Sequence, residues 1–445
     1  MKYLKRGVHL PEKKERSLLT TNIVRSSTPR FIAISLLEKG NISAVSCVFE
    51  GDRVLVGTKI ADGVDFKAVP IHSSVSGFIS KVMPEQIQIE SDERDSLDPV
   101  IQPQLFVSEN PDELIEIVRQ AGLVDMGSCS IPLHMKLEEA KMAHIHTLVI
   151  NGCESEPYLT ADHVLMLNHG LEILKGTESL RIACGARQAV IAIERNKLEA
   201  VEILKTKNYS LRLNQIEICS FPVKYPQGTE RALCETLLER PFRKGESALK
   251  AGILVLNVAT AFAAYEAIYV GKPLIERVVT VTGECIAEAK NIWARIGTPL
   301  SYLIHQCRGL LRDSVRLVLG GPMTGEAINS LDFPVTKNTT GIVALPVESN
   351  DVEKEAPCIR CGLCVDRCVA SLQPEILVKA IRKENFNLAK EYKLEECIEC
   401  GVCAYICPSK IPLLEMIQNG KRAFLKKTEP APIPEYHDVE LATHS

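Results

Sequence analysis

The segment PCIRCGLCVDRCVASLQP, residues 357–374, carries four cysteines spaced C-x2-C-x2-C-x3-C, and ECIECGVCAYICPSK, residues 396–410, repeats that spacing. A cubane iron–sulfur cluster needs four thiolates converging on one small object. Two-residue gaps let the backbone wrap the cluster and aim three successive sulfurs at three irons, and in two-cluster ferredoxins the last cysteine of each run ligates the other cluster. The spacing therefore assigns Cys358, Cys361, Cys364 and Cys407 to one [4Fe–4S] cluster and Cys397, Cys400, Cys403 and Cys368 to a second. Gly362 and Gly401 suit a tight wrap, and Pro408 follows the second run, whereas Val369 stands in place of a proline after the first. Zinc also takes C-x2-C pairs, but two pairs complete its tetrahedron and the remaining cysteines would be redundant. Two clusters on intertwined loops form a wire for single electrons, which implies a donor on one side and an acceptor on the other.

The remaining 350 or so residues must supply at least one of those connections. A chain of 445 residues exceeds the usual single-domain size and implies two to four domains. With 46% hydrophobic and 24% charged residues it has the composition of a soluble globular protein. A formal charge of −4 gives no general attraction to nucleic acid or anionic lipid. The N-terminus, MKYLKRGVHLPEKKERS, is basic but lacks the apolar run of a secretory signal. The most apolar long segment, GILVLNVATAFAAYEAIYV at 252–270, contains Asn257 and Glu266 and reads as a buried strand entering a helix. The expectation is a cytoplasmic protein with no nucleic-acid partner and no direct membrane insertion, attached peripherally, if at all, through partner subunits. Sixteen cysteines without an export signal argue against a disulfide framework. The eight outside the motifs, Cys47, Cys129, Cys153, Cys184, Cys219, Cys234, Cys285 and Cys307, read as small buried hydrophobes.

Residues 1–30 read as an irregular arm, with Pro11, Pro29 and scattered charge. Residues 31–108 alternate apolar and polar in short runs punctuated by EGD and VSG turns, which look like a small barrel-sandwich of the biotinyl or lipoyl type. No lysine sits at the SG turn to carry a prosthetic group, so a scaffold or docking role is expected. Residues 109–274 alternate strand and helix patterns, the signature of an α/β layer. Residues 275–345 are strand-rich again and read as a β-grasp-like unit. Residues 346–425 hold the cysteine module, and 426–445 form a Pro-rich tail. The predicted fold class is thus multidomain α/β plus β.

The order of RGVHLPE, EGDRVLVGTKI, PIHSSVSG, NGCESEPYLTAD, YPQGTE, LIERVVTVTGE, RIGTPLSYLI, LGGPMTG and the paired cysteine runs resembles the RnfC family, over residues 6 to about 425. RnfC is the peripheral iron–sulfur subunit of the Rnf electron-transport complex. The α/β part also resembles the NADH-binding flavoprotein subunit of respiratory complex I. The resemblance implies an FMN and NADH site within 110–270, a soluble-ligand-binding β-grasp unit at about 275–335, and a ferredoxin-like two-cluster module. It places Gly127, Asn151, Glu154, Glu156, Tyr225, Gly228 and Glu230 in the cofactor cleft. Where the family's first loop is rich in glycine, this chain has Val124, Asp125, Met126, Gly127, Ser128, Cys129, Ser130, Ile131 and Pro132. Each added Cβ narrows the approach of the backbone, and Asp125 brings a negative charge to the place expected for phosphates. By the resemblance Glu154 and Glu156 lie along the flavin; by residue pattern alone they belong to an acidic strand-to-helix turn. Tyr225 to Glu230 make a turn before a helix whose N–H groups suit a phosphate. Cys129 and Cys153 stand in the two loops that would face the flavin, as small residues or as redox or metal-binding thiols.

The expected function is NADH-dependent electron transfer, by way of FMN and two [4Fe–4S] clusters, to a protein acceptor such as neighbouring Rnf subunits. A soluble paralogue feeding a corrinoid or amino-acid (proline) reductase is the second expectation. A non-catalytic docking role within an assembly is the third.

Overall fold

Four short apolar runs, Thr147–Asn151, Gln188–Glu194, Ile216–Phe221 and Ile253–Asn257, build a parallel sheet. A strand covered by helices on both faces must be apolar on both, which is why these runs do not alternate. Gln188–Glu194 is buried at every position after the first. The spatial order is 216–221, 188–194, 147–151, 253–257, so the chain steps outward on one side and returns on the other. Ligands bind at the carboxyl ends of parallel strands where the order reverses in this way, here between Thr147–Asn151 and Ile253–Asn257. Asn151 and Asn257 end those two strands as register partners.

The computed structural model describes residues 4–37, 44–63, 65–127, 130–243, 245–347 and 355–428. The chain divides into two compact units, Met1–Glu353 and Lys354–Ser445.

In the first unit the helices Leu133–Met142, Ala161–Asn168, Gly170–Ala183, Leu198–Leu211, Glu230–Leu238 and Val258–Val270 accompany the parallel sheet. Gly170–Ala183 and Val258–Val270 approach closely because Gly176 has no side chain. A Cβ there would lie 1.9 Å from the Ala261 carbonyl oxygen. The N-terminal β part contains a four-stranded antiparallel sheet of Phe31–Ser35, Gln86–Ser91, Gly77–Val82 and Arg53–Val54, with a three-stranded one of Ala44–Ser46, Lys59–Gly63 and Ile71–His72. Its strands alternate as the sequence does: Ile87, Ile89 and Ser91 are buried and their neighbours half-buried. The PIHSSVSG turn is a docking element. Ser73, Ser74 and Ser76 are fully buried, and the Ser74 hydroxyl donates to the Ile296 carbonyl at 2.6 Å.

A six-stranded mixed sheet follows, ordered Val24–Arg25, Lys290–Arg295, Glu276–Thr282, Gly341–Pro346, Val315–Leu319, Glu326–Ile328. Its first strand comes from the N-terminal segment, which corrects the expectation of an irregular arm. Residues 15–18 form a 3-10 turn, Val24–Arg25 pairs with Ile292 and Trp293, and Leu4, Val8, Lys14 and Ser17 are buried. The order comes from distant partners. Arg16 donates to the Gly283 and Ile286 carbonyls, and the Asn291 amide donates to the Ser17 carbonyl at 2.9 Å.

The second unit packs helices Pro374–Arg382, Phe386–Glu391 and Leu413–Thr428 around Leu377, Ala389, Leu394, Leu413 and Ile417. The last helix runs past the expected boundary at 425, and residues 429–445 of the expected tail lie outside the described residues. Among the described residues no helix is long and apolar enough to cross a membrane.

Gly176→Ala is expected to lower stability by roughly 1–3 kcal/mol, the usual cost of overpacking a core. Denaturant unfolding measures it, and a variant as stable as the parent would show that the two helices can separate freely.

Candidate functional site

Two of the loops expected to form the cofactor cleft leave the carboxyl ends of the parallel strands Thr147–Asn151 and Ile216–Phe221, and the first, residues 124–132, joins the helices Pro111–Gln120 and Leu133–Met142. Residues 124–132 are pinched at the neck by the Asp125 N–H donating to the Ile131 carbonyl and the Leu133 N–H to the Leu123 carbonyl. Gly127 lies beside the end of the Ile253–Asn257 strand: a Cβ on it would stand 3.7 Å from Asn257 Cβ. Ser128 and Cys129, including the thiol expected to face the flavin, lie outside the described residues.

The second loop is tied to the third. Asn151 Nδ2 donates to the Gly228 carbonyl at 2.8 Å, and the Gly228 N–H donates to Ser155 Oγ at 2.7 Å. Asn151 Oδ1 also accepts from the Cys153 N–H, closing the turn after the strand. Tyr225 is buried, joined to Pro226 by a cis peptide bond, with its hydroxyl 3.4 Å from Glu156 Oε1. The structure thus brings Asn151, Tyr225, Gly228 and the 154–156 turn together.

Both glutamates have protein partners. Glu154, at φ +45°, accepts the Asp162 N–H at 2.8 Å and the His163 N–H at 3.3 Å, so it stabilises the start of the Ala161–Asn168 helix. Glu156 accepts the Met323 N–H and the Thr324 hydroxyl of the LGGPMTG loop at 3.0 and 2.6 Å. Burial still holds the Glu156 carboxyl above the usual range against those donors. Glu230 opens the Glu230–Leu238 helix. It is surface-accessible, yet desolvation raises its carboxyl pKa, with Lys136 and Asp125 acting on it in opposite directions.

Beneath the turn lie two ammonium groups that sequence pattern did not single out. Lys14 Nζ donates to the Glu154 carbonyl and Lys197 Nζ to the Cys153 carbonyl, both at 2.6 Å. Burial, then Lys197, pulls Lys14 down to about 8. Cys153 is fully buried in an apolar cluster with Val149, Phe221 and Leu233, its thiol donating toward the Ala192 carbonyl. Burial, then Glu194, pushes that thiol well above its ordinary value, which agrees with the small buried residue expected here and goes against the redox-thiol alternative. Asp162 was also missed. Its carboxylate accepts from Asn257 Nδ2 at 2.8 Å, and desolvation, then the charge of Glu154, lifts it to about 7. The polar Asn257 within an apolar run was the one sequence signal for this corner.

In the second unit the two cysteine runs share one backbone design. Arg360 and Glu399 have φ +55° and +54°, and Gly362 and Gly401 have φ +76° and +75°. Each glycine precedes a short helix, Leu363–Arg367 or Val402–Tyr405. Cys368 lines one pocket with Cys397, Cys400 and Cys403, walled by Leu377 and Ile417. The first run meets the end of the second: the Ala356 N–H donates to the Ser409 carbonyl at 2.9 Å and Ser409 Oγ donates to the Pro357 carbonyl at 3.0 Å. Cys358 and Cys361 are exposed, and Cys364 and Cys407 are half-buried. Among the described residues no three or more His, Cys, Asp or Glu side chains close on a single metal ion.

Four family models match the chain. They are the RnfC barrel sandwich hybrid domain at residues 2–102, the Nuo51 FMN-binding domain at 118–266, the SLBB domain at 278–327 and the 4Fe-4S dicluster domain at 350–408. The C component of the Na(+)-translocating ferredoxin:NAD(+) oxidoreductase complex of Acetobacterium woodii is 33% identical over 432 residues, covering 95% of this chain and 97% of that protein. The C component of the ion-translocating oxidoreductase complex of Pasteurella multocida is 36% identical over 429 residues, and this chain spans 51% of its length. A crystal structure of NAD+-reducing [NiFe]-hydrogenase in the H2-reduced state gives a TM-score of 0.48 at 18% identity, over 71% of this chain and 61% of that one. Fold and matches define a class, an FMN-binding core joined to a 4Fe–4S dicluster domain. Within that class the chain belongs to the RnfC family of oxidoreductase complex subunits.

The residues present fit both cofactor types. Four sulfurs around an apolar-walled pocket suit a cubane, and the small Gly127, the amide of Asn151 and the ammonium of Lys136 beside the strand ends at the switch point are residue types that suit a flavin nucleotide.

Because Asp162 sits near 7, above its unfolded value of roughly 3.9, its neutral form favours folding at low pH, and that contribution is lost as pH rises through about 7. Asp162→Asn is expected to flatten the pH dependence of thermal unfolding between about pH 5 and 7.5. An unchanged slope would place the titration elsewhere.

Proposed function

We propose that this chain carries electrons from NADH to a protein acceptor, through FMN in the first unit and two [4Fe–4S] clusters in the second. The observation that carries the reading is the pocket where Cys368 of one run meets Cys397, Cys400 and Cys403 of the other. That crossing is what a matched pair of cubanes requires and what two independent metal knuckles would not need. Cys358, Cys361, Cys364 and Cys407 would hold the second cluster of the pair.

FMN, when bound, supplies the conversion of a two-electron hydride donor into the single-electron steps that cubanes accept. The chain's residues position and tune. Asn151, Ser155 and Gly228 fix the second and third loops against each other, and Glu156 fastens them to the Met323–Thr324 segment. The Leu372 N–H donates to Cys368 Sγ at 3.4 Å, and such bonds stabilise added negative charge and raise a cluster's potential. Lys421 donates to the Cys397 carbonyl and Glu399, placing a cation beside the same group of sulfurs.

Membership in the family supports a place beside other subunits of an ion-translocating complex on the cytoplasmic face of a membrane, with those subunits as acceptor. A second reading, a soluble relative that receives electrons from another protein and feeds a reductase, is favoured by one feature, the charged Asp125 in the first loop.

Anaerobically purified full-length protein is expected to hold roughly eight irons per chain and to bleach on adding NADH. Failure to bleach, with reduction by a reduced iron–sulfur protein instead, would favour the soluble relative; an iron-free, zinc-loaded protein would end both readings. The crossed ligation has its own test. Cys368→Ser and Cys397→Ser should each lose the same cluster by electron paramagnetic resonance, leaving roughly four irons, and Cys407→Ser should lose the other. Loss of different clusters in the first two variants would show that each run holds its own.

A further inference from the structure

Asp125 replaces the bare backbone of a glycine-rich loop with a carboxylate, and that carboxylate has three protein donors. Oδ1 accepts from the Asn257 N–H at 3.2 Å and from the Thr260 hydroxyl at 3.1 Å, and Oδ2 accepts from the Lys136 ammonium at 2.7 Å. Asn257 caps the Val258–Val270 helix and Thr260 lies in its first turn. A helix-terminal N–H, a hydroxyl and an ammonium are the groups that nucleotide sites turn toward a phosphoryl group. Lys136 also donates to the Val255 carbonyl at 2.9 Å, which holds the ammonium at the carboxyl end of the strand beside the switch point. The Lys136 and Asp125 side chains are 15% and 13% exposed, so solvent screens their charges weakly. Gly127, two residues on, lies beside this carboxylate: a Cβ there would stand 3.7 Å from Asp125 Oδ1. The carboxylate therefore does from inside the chain what a ligand phosphate would do from outside.

We infer that Asp125 is an internal competitor for the phosphoryl group of the bound cofactor or substrate, a specificity determinant that lowers affinity for phosphate-bearing ligands while leaving recognition of their rings alone. An incoming phosphoryl group must either draw Lys136 away from Asp125 or sit beside a second anion, and both weaken binding. The inference rests on the flavin and nicotinamide reading of the cleft. FMN and NADH offer the same phosphoryl chemistry, and phosphate-free analogues separate them.

Full-length protein, reconstituted anaerobically, is titrated with FMN, riboflavin, NADH and reduced nicotinamide riboside. Asp125→Asn keeps the size and one acceptor of the native residue, and Asp125→Gly serves the same comparison if Asn disturbs the loop. The substitution is expected to tighten a phosphate-bearing ligand roughly tenfold or more while its phosphate-free analogue is unchanged. Selective tightening of FMN over riboflavin assigns the flavin phosphate; selective tightening of NADH over the riboside assigns the diphosphate. Lys136→Gln is expected to loosen the same ligand and spare the analogue. Equal tightening of both members of a pair, no change in any, or no binding by either Asp125 variant overturns the inference. If the phosphate-selective change occurs but NADH bleaches the clusters of neither protein, the functional proposal falls and this one stands.

Discussion

Glu154 holds three parts of the first unit at one point. Its carboxylate takes the free N–H groups at the start of the Ala161–Asn168 helix, and its carbonyl takes the buried ammonium of Lys14 from the N-terminal segment. An ammonium can stay that deep only with oxygen partners around it, because an unpaired buried charge is costly. The turn that carries Asn151, Ser155 and Glu156 is therefore fixed from below by the N-terminal segment and from the side by Gly228 and Thr324. The cleft is shaped by this polar framework more than by the apolar core under the sheet.

The second unit reaches precision by another route. Its two cysteine loops repeat the same left-handed positions at Arg360 and Glu399 and at Gly362 and Gly401. Glycine relieves the strain at the second position of each pair, whereas Arg360 and Glu399 bear it at the first. A repeated backbone turns two sets of sulfurs alike, so each run can offer its last cysteine to the other. The clusters need not be equivalent for that. Cys397, Cys400 and Cys403 stand against Leu377 and Ile417, whereas Cys358 and Cys361 are exposed. Solvent exposure and N–H bonds to sulfur are among the factors that set cluster potentials, and the two groups of sulfurs differ in exposure.

Features written in local spacing were legible in the sequence. The cysteine runs announce a cluster fold because their ligands are neighbours in the chain, and apolar runs such as TLVIN and ILVLN announce buried strands for the same reason. The polar Asn257 stood out in its apolar run, but the run did not reveal its partners. What stayed hidden depends on contacts between distant residues. Lys14 meets Glu154, Arg16 meets Gly283, and Lys136 meets Asp125 and Val255, none of which any periodicity encodes. The loss of glycines in the first loop was plain to read, but not that Asp125 would find a cation and a helix start waiting for it. Cys153 was readable as a small buried residue, but not that the fold would set its thiol in the core beside Phe221.

The pairing of Val24–Arg25 with Ile292 and Trp293 also orders events in time. This strand covers the open edge of the six-stranded sheet, and uncovered edges invite strands from other molecules. It comes before the α/β layer in the chain, yet the strand it must cover comes after it. When its partner strand emerges, the segment is already on hand to seal that edge.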